Sequence, residues 1–283
     1  MTSRYSGAVE TARDYYNSND ADTFYHTVWG GEDIHVGLYE APSEPIFDAS
    51  RRTVERMAGC IPKLDGDTRV LDIGAGYGGA ARFLAQRYGC QVVALNLSEK
   101  ENDRARQMNR QQGLDELIEV IDGSFEDLPF NDRHFDVVWS QDAILHSGNR
   151  RKVLEEVARV LAPGGHFLFT DPMQADDCPA GVLQPILERI HLATLGSPEF
   201  YRRTLTELDL EEVSFDIHSD MLAVHYGRVH DELTSCEERL AEYVSRDYIE
   251  RMKHGLQHWI EGGRNGHLTW GIFLFRKPGD APR

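Results

Sequence analysis

Short apolar runs bounded by polar residues recur near 69–73, 91–95, 117–121, 135–139 and 166–170, and they read as strands buried on both faces. Between them, 79–88, 99–112 and 150–161 carry apolar residues at helical spacing. Alternating strands and helices predict an α/β fold, a parallel sheet with helices on both faces. The stretch from 117 to 139 lacks a long helical pattern, so a short helix or a loop must make that crossover. Upstream, Val54, Met57, Ala58 and Ile61 repeat at helical spacing from Asp48 to Ile61, and Pro62 follows directly. Residues 1–45 are polar and aromatic-rich, with Gly30, Gly31, Pro42 and Pro45 marking turns; they read as an N-terminal helix followed by a loop. After Pro172 the pattern is helical through roughly 182–208, extended near 212–217 and mostly helical again from 219 to 263. The closing HLTWGIFLFRK alternates and reads as a last sheet strand. Four regions follow: 1–45 (helix and lid), 46–218 (core), 219–263 (helical insertion on the substrate side) and 264–283 (final strand and tail).

The segment RVLDIGAGYGGAARFL takes a strand directly into Gly74, Ala75, Gly76, Gly78 and Gly79 and then into a helix. Such a bend lets backbone pass close beneath a ligand, with helix N–H groups pointing at it. A dinucleotide fingerprint, G-x-G-x-x-G, also fits from Gly74 to Gly79. Asp72 favours a methyl donor over a dinucleotide, because a carboxylate there is badly placed beside a pyrophosphate and well placed for the ammonium of a methionine moiety. The next strand ends at Asn96 and Leu97, where an acidic residue usually grips ribose hydroxyls. Asn96 can serve with its amide, or it simply bends the chain before the next helix. In IDGSFEDLPF, Ser124 and Phe125 suit an adenine, although Phe125 in the core of a plain loop is the alternative. The fourth strand runs into Ser140, Gln141, Asp142 and His146, and ligands of open parallel sheets bind beyond such carboxyl ends.

Charge narrows the partners. Forty-seven Asp and Glu against thirty Lys and Arg give a net charge of −17, which repels phosphate backbones and anionic membranes. Either an ordinary acidic enzyme or one hydrated for a salty cytoplasm fits this balance. Cys60, Cys90, Cys178 and Cys236 lie far apart, which indicates free thiols in a reducing compartment rather than zinc ligands or disulfides. The first sixteen residues contain no apolar signal core and nowhere do eighteen apolar residues run together, so a cytoplasmic protein is expected, as a monomer or weak homodimer.

VLDIGAGYGG, the strand ending in Asn96, DGSFEDLPF, FDVVWSQDAILH and LAPGGHFLFTDPM together resemble the class I methyltransferases over roughly 65–175. That resemblance implies a Rossmann-like, seven-stranded, mostly parallel sheet and S-adenosylmethionine as cofactor, with S-adenosylhomocysteine as product. YYNSNDADTFYHTVWGGEDIHVGLYE resembles the N-terminal lid of the betaine-forming branch and of its tocopherol and phosphoethanolamine relatives. End to end, with WSQDAILHS, TDPMQADDCP, HYGRV and LTWGIFLFRK, the chain is similar to sarcosine/dimethylglycine N-methyltransferases. The resemblance implies successive methylation of sarcosine and dimethylglycine to glycine betaine, a compatible solute. Enzymes acting on glycine, phosphoethanolamine or a natural-product hydroxyl are the rival readings, with a non-catalytic donor-binding module as the rival of another class. DNA methylation is disfavoured by SQDA after the fourth strand and by the charge.

On this reading the donor meets Trp29, Asp72, Gly74, Ala75, Gly76, Asn96, Leu97, Ser124, Phe125 and Gln141. Methyl transfer needs no metal; it needs a nitrogen lone pair aligned behind the sulfonium, away from water. Tyr25, Trp29 and Tyr226 are candidate aromatic faces for the charge that develops on nitrogen, and the resemblance puts Tyr25 and Trp29 in the lid. His146 is a candidate for positioning or proton transfer, or else a histidine packing at a helix end. Asp142 is expected near the acceptor and Arg228 is expected to hold its carboxylate. His35 and Gly37 are expected to close the lid turn.

Overall fold

The apolar run Arg69–Ile73 (β1) lies at the third position of a seven-stranded sheet in the computed structural model, which describes residues 7–280. The other elements, in chain order, begin with helices Gly7–Tyr16 (α1), Asn19–Val28 (α2) and Ile46–Ala58 (α3), all before β1. After β1 come Gly79–Tyr88 (α4), Gln91–Asn96 (β2), Glu99–Gln112 (α5), Ile118–Asp122 (β3) and Phe135–Gln141 (β4). A single 3-10 turn, Ile144–His146, precedes Arg150–Val160 (α6), Leu161–Thr170 (β5) and Met173–Gln174 (β6). Then follow Gln184–Arg189 (α7), Pro198–Glu207 (α8), Glu211–Ile217 (β7), Asp220–Leu240 (α9), Arg246–Arg264 (α10), Leu268–Thr269 (β8) and Gly271–Arg276 (β9).

The strand order is β3-β2-β1-β4-β5-β9-β7. The first five pair in parallel, and β9 runs antiparallel to both β5 and β7. Period-two alternation gives the inner strands β1, β2, β4 and β5 two apolar faces. Val70, Val92, Val137 and Trp139 bury against α3 and α4, while Leu71, Ile73, Val138 and Phe169 bury against α6 and α8. A third cluster joins α2 to α9 and α10 through Phe24, Trp29, Tyr226 and Trp259. This helical layer roofs the carboxyl ends of the strands.

Local chemistry corrects several sequence expectations. The N-terminal segment makes two helices, because Ser18 accepts a hydrogen bond from Ala21 N–H and starts a second one. The helical stretch 182–208 is broken in two: His191 adopts φ +55°, and Ser197 with Pro198 restarts the chain as α8. The helix expected to reach residue 161 ends at Val160, since Leu161 already pairs with Phe135. The short β6–β8 ladder has no counterpart in the sequence reading. Between β3 and β4 the crossover is a loop, as expected. Among the described residues no helix is long and apolar enough to cross a membrane.

Candidate active site

Where β1 ends, the chain folds beneath β2: the N–H groups of Gly74 and Ala75 both donate to Leu95 O, at 2.8 and 3.2 Å. Gly74 has φ +75°, and a Cβ there would stand 2.3 Å from the Ala143 Cβ, so only glycine fits. Asp72 is buried at the head of this loop. Burial raises its carboxyl to about 7; His35 works against the shift and Asp33 adds to it. No hydrogen bond within the described protein satisfies the Asp72 carboxylate, and it lines a small cavity with Asp33, Gly74, Ala75 and Gln141. Gln141 Oε1 accepts from the Trp139 indole at 2.9 Å, which leaves Gln141 Nε2 buried without a partner. Asp33 lies 2.8 Å from Arg51 Nη2, but neither of its oxygens makes a hydrogen bond.

A second recess adjoins the first along Gly74 and Gln141. It is lined by Gly76, Asn96, Leu97, Ser124, Phe125 and Glu101 among others. Asn96 Nδ2 donates to Glu101 Oε2 at 2.8 Å, and Glu101 Oε1 has no partner. Burial raises the Glu101 carboxyl to about 7, against the pull of the Asn96 hydrogen bond. Glu101 escaped the sequence reading, although its place three residues beyond the capping Ser98 points it back toward Asn96. Orphaned acceptors, an unpartnered amide and a loop open to close backbone approach fit a nucleoside carrying an amino-acid tail. Among the described residues no cluster has the make-up of a metal site.

The third space is a cavity of about 1100 Å³ beneath the helical layer. Tyr25, Trp29 and Tyr226 all line it, with ring centroids 5.3 Å apart for Tyr25 and Trp29 and 6.0 Å for Trp29 and Tyr226. Trp29, expected against the donor, lines this chamber and neither of the two smaller recesses; its indole N–H is turned toward His35 O, 3.4 Å away. Tyr16, Tyr248 and Trp259 extend the aromatic wall and gave no sequence signal of their own. His146 lines both this cavity and the second recess, and its Nε2 shares a 2.9 Å hydrogen bond with the Tyr16 hydroxyl. Burial, helped by Arg189 and Arg150, lowers its imidazole to about 4.

Two expected substrate contacts change. Arg228 lines none of these cavities; its Nε lies 3.4 Å from Glu44 O and its Nη1 3.8 Å from Asp231. It is two residues from Tyr226 on α9, about 200° around the helix, so the two side chains leave on opposite faces. Asp142 borders both main spaces, yet its oxygens already accept from Val36 N–H and the Trp270 indole. In the lid, His35 Nδ1 lies 3.3 Å from Val36 O, and Gly37 packs so tightly on α3 that a Cβ would fall 2.6 Å from the Ala49 Cβ.

The methyltransferase domain family matches residues 71–169, which span β1 to β5. A sarcosine/dimethylglycine N-methyltransferase of Halorhodospira halochloris is 62% identical over 98% of this chain and 100% of its own length. This chain belongs to that family. A second sarcosine/dimethylglycine N-methyltransferase, from Aphanothece halophytica, is 54% identical over 95% of this chain and 98% of its own. A solved structure from Galdieria sulphuraria, provisionally named a sarcosine dimethylglycine methyltransferase, aligns with a TM-score of 0.89 at 44% identity. It covers 94% of this chain and 100% of that one, so the family fold includes the helical layer as well as the sheet.

Proposed function

We propose that the protein moves methyl groups from S-adenosylmethionine to sarcosine and dimethylglycine, yielding glycine betaine and S-adenosylhomocysteine, as a cytoplasmic enzyme. The observation that carries this reading is a junction: the carboxylate-headed glycine loop and its nucleoside recess meet an aromatic chamber at His146, Tyr16 and Asp142. Full-length similarity to relatives named for these acceptors supports it.

When bound, the donor supplies a methyl group already activated by positive sulfur. Asp72 and Gln141, which line the smaller recess, would take its ammonium and carboxylate end, Asn96 and Glu101 the ribose hydroxyls, and Ser124 with Phe125 the adenine. With the donor bound, a nitrogen lone pair aligned behind the methyl carbon would take the methyl group, and the electrons of the broken sulfur–carbon bond would return to sulfur. Faces of Tyr25, Trp29 and Tyr226 stabilise the positive charge growing on nitrogen without competing as nucleophiles.

The lone pair must first be freed. Only the neutral amine has a lone pair to give, so the acceptor sheds its proton to water before the transfer. His146, lowered to about 4, is too weak a base to take that proton and acts as a neutral hydrogen-bonding wall beside Tyr16. Mass spectrometry after offering glycine, sarcosine and dimethylglycine separately with the donor tests the proposal. Betaine from the last two is expected; methylation of glycine alone, or of none, overturns it.

A further inference from the structure

We propose that Arg189 receives the carboxylate of the acceptor, in a space that Gly255 leaves open for its side chain; this rests on the acceptor being an N-methylated amino acid, as read above. Arg189 is the last residue of α7 and lines the aromatic cavity together with Tyr25, Trp29 and Tyr226. Acidic side chains outnumber basic ones in this chain, and Arg51, Arg52, Arg82, Arg104 and Arg106 all meet carboxylates. Arg189 meets none among the described residues. Its Nη2 has only the Met252 thioether sulfur, at 3.0 Å, and a thioether is a weak acceptor for a group built to grip carboxylates in a fork.

The guanidinium is held in place by a gap in the opposite helix. Gly255 lies inside α10, where glycine weakens a helix. A Cβ at that position would stand 2.3 Å from Arg189 Nε and 2.6 Å from its Cδ, so the missing side chain is the room the arginine occupies. Its charge is felt across the chamber: it opposes the rise that burial imposes on the Tyr25 and Tyr226 phenols, and it helps hold the His146 imidazole neutral. One carbon separates carboxylate from nitrogen in these acceptors. Anchoring the carboxylate on Arg189 therefore fixes where the nitrogen can stand among the rings, and an amine lacking the carboxylate gains nothing from the site.

The test compares wild type with Arg189→Gln, Arg189→Lys and Gly255→Ala. It reads kinetics with dimethylglycine and with N,N-dimethylethanolamine, acetate titrations followed by tryptophan fluorescence, and calorimetry with S-adenosylhomocysteine as a check of folding. Losing a charged hydrogen-bonding partner corresponds to about 10- to 100-fold in KM for dimethylglycine. We expect that rise in R189Q with adenosylhomocysteine affinity unchanged, partial recovery in R189K, a smaller rise in G255A and loss of the acetate response in R189Q. An R189Q protein with wild-type KM and acetate response overturns the inference while leaving the acceptor standing. Acetate binding that R189Q loses, in a wild type that methylates neither amine, supports the anion site and overturns the acceptor instead.

Discussion

The Trp270 indole N–H donates to Asp142 Oδ1 at 2.8 Å while Val36 N–H donates to Oδ2 at 2.7 Å, so one carboxylate ties the lid to the end of β4 and to the residue just before β9. Asp142 holds φ +49°, a backbone state that asparagine tolerates about as well as aspartate. Asp142→Asn therefore isolates the loss of one acceptor: its NH₂ group faces a donor that then lies buried and unsatisfied. That costs about 1–3 kcal/mol. We expect a lowered urea midpoint and faster proteolysis in the turn at Gly30 and Gly31. A variant as stable and as protease-resistant as wild type would show that the lid is held elsewhere.

Gly79 opens α4 directly beneath the lid, and a Cβ there would lie 2.0 Å from Asp33 Oδ1 and 2.7 Å from Glu32 O. Helix propensity alone favours alanine by about 1 kcal/mol. The steric effect opposes it, because the blocked neighbour includes backbone that cannot rotate away. Glu32 and Asp33 are also fastened, to Arg82 at 2.8 Å and to Arg51 at 2.8 Å. Gly79→Ala should therefore lower thermal stability, and donor affinity, followed by calorimetry with S-adenosylhomocysteine, should fall at least several-fold. Unchanged affinity would mean that the lid segment at 32–33 does not shape the donor site.

The parallel half of the sheet was legible because β1, β2, β4 and β5 are buried on both faces, which writes continuous apolar runs into the chain. The glycine loop was legible for a related reason: only glycine can take the backbone of Gly74 past Ala143. Arg189 left no such mark. Its significance depends on Gly255, sixty-six positions downstream by number, and on its meeting no carboxylate among the described residues, neither of which is a local pattern. Arg228 misled in the opposite way, since its neighbour Tyr226 does reach the chamber and only helical phase separates the two. Ser18 and Glu101 were readable in principle through capping chemistry.

The buried carboxylates give the protein a pH signature that a bound donor should reverse. Asp72 and Glu101 are each raised by burial to about 7, far above their unfolded values near 4. The folded state therefore holds these protons where the unfolded chain has released them. Their contribution to stability is full below about pH 4, falls as pH rises toward 7 and levels off above it. An ammonium beside Asp72 prefers the ionised carboxylate, so the added stability from S-adenosylhomocysteine should grow over the same window. Melting curves from pH 5 to 8, with and without that ligand, should show a shift that widens with pH. In Asp72→Asn, which has no charge to regulate, the ligand-induced shift should be smaller and much flatter with pH. A wild-type shift equally flat across that range would mean that Asp72 does not face the donor's ammonium.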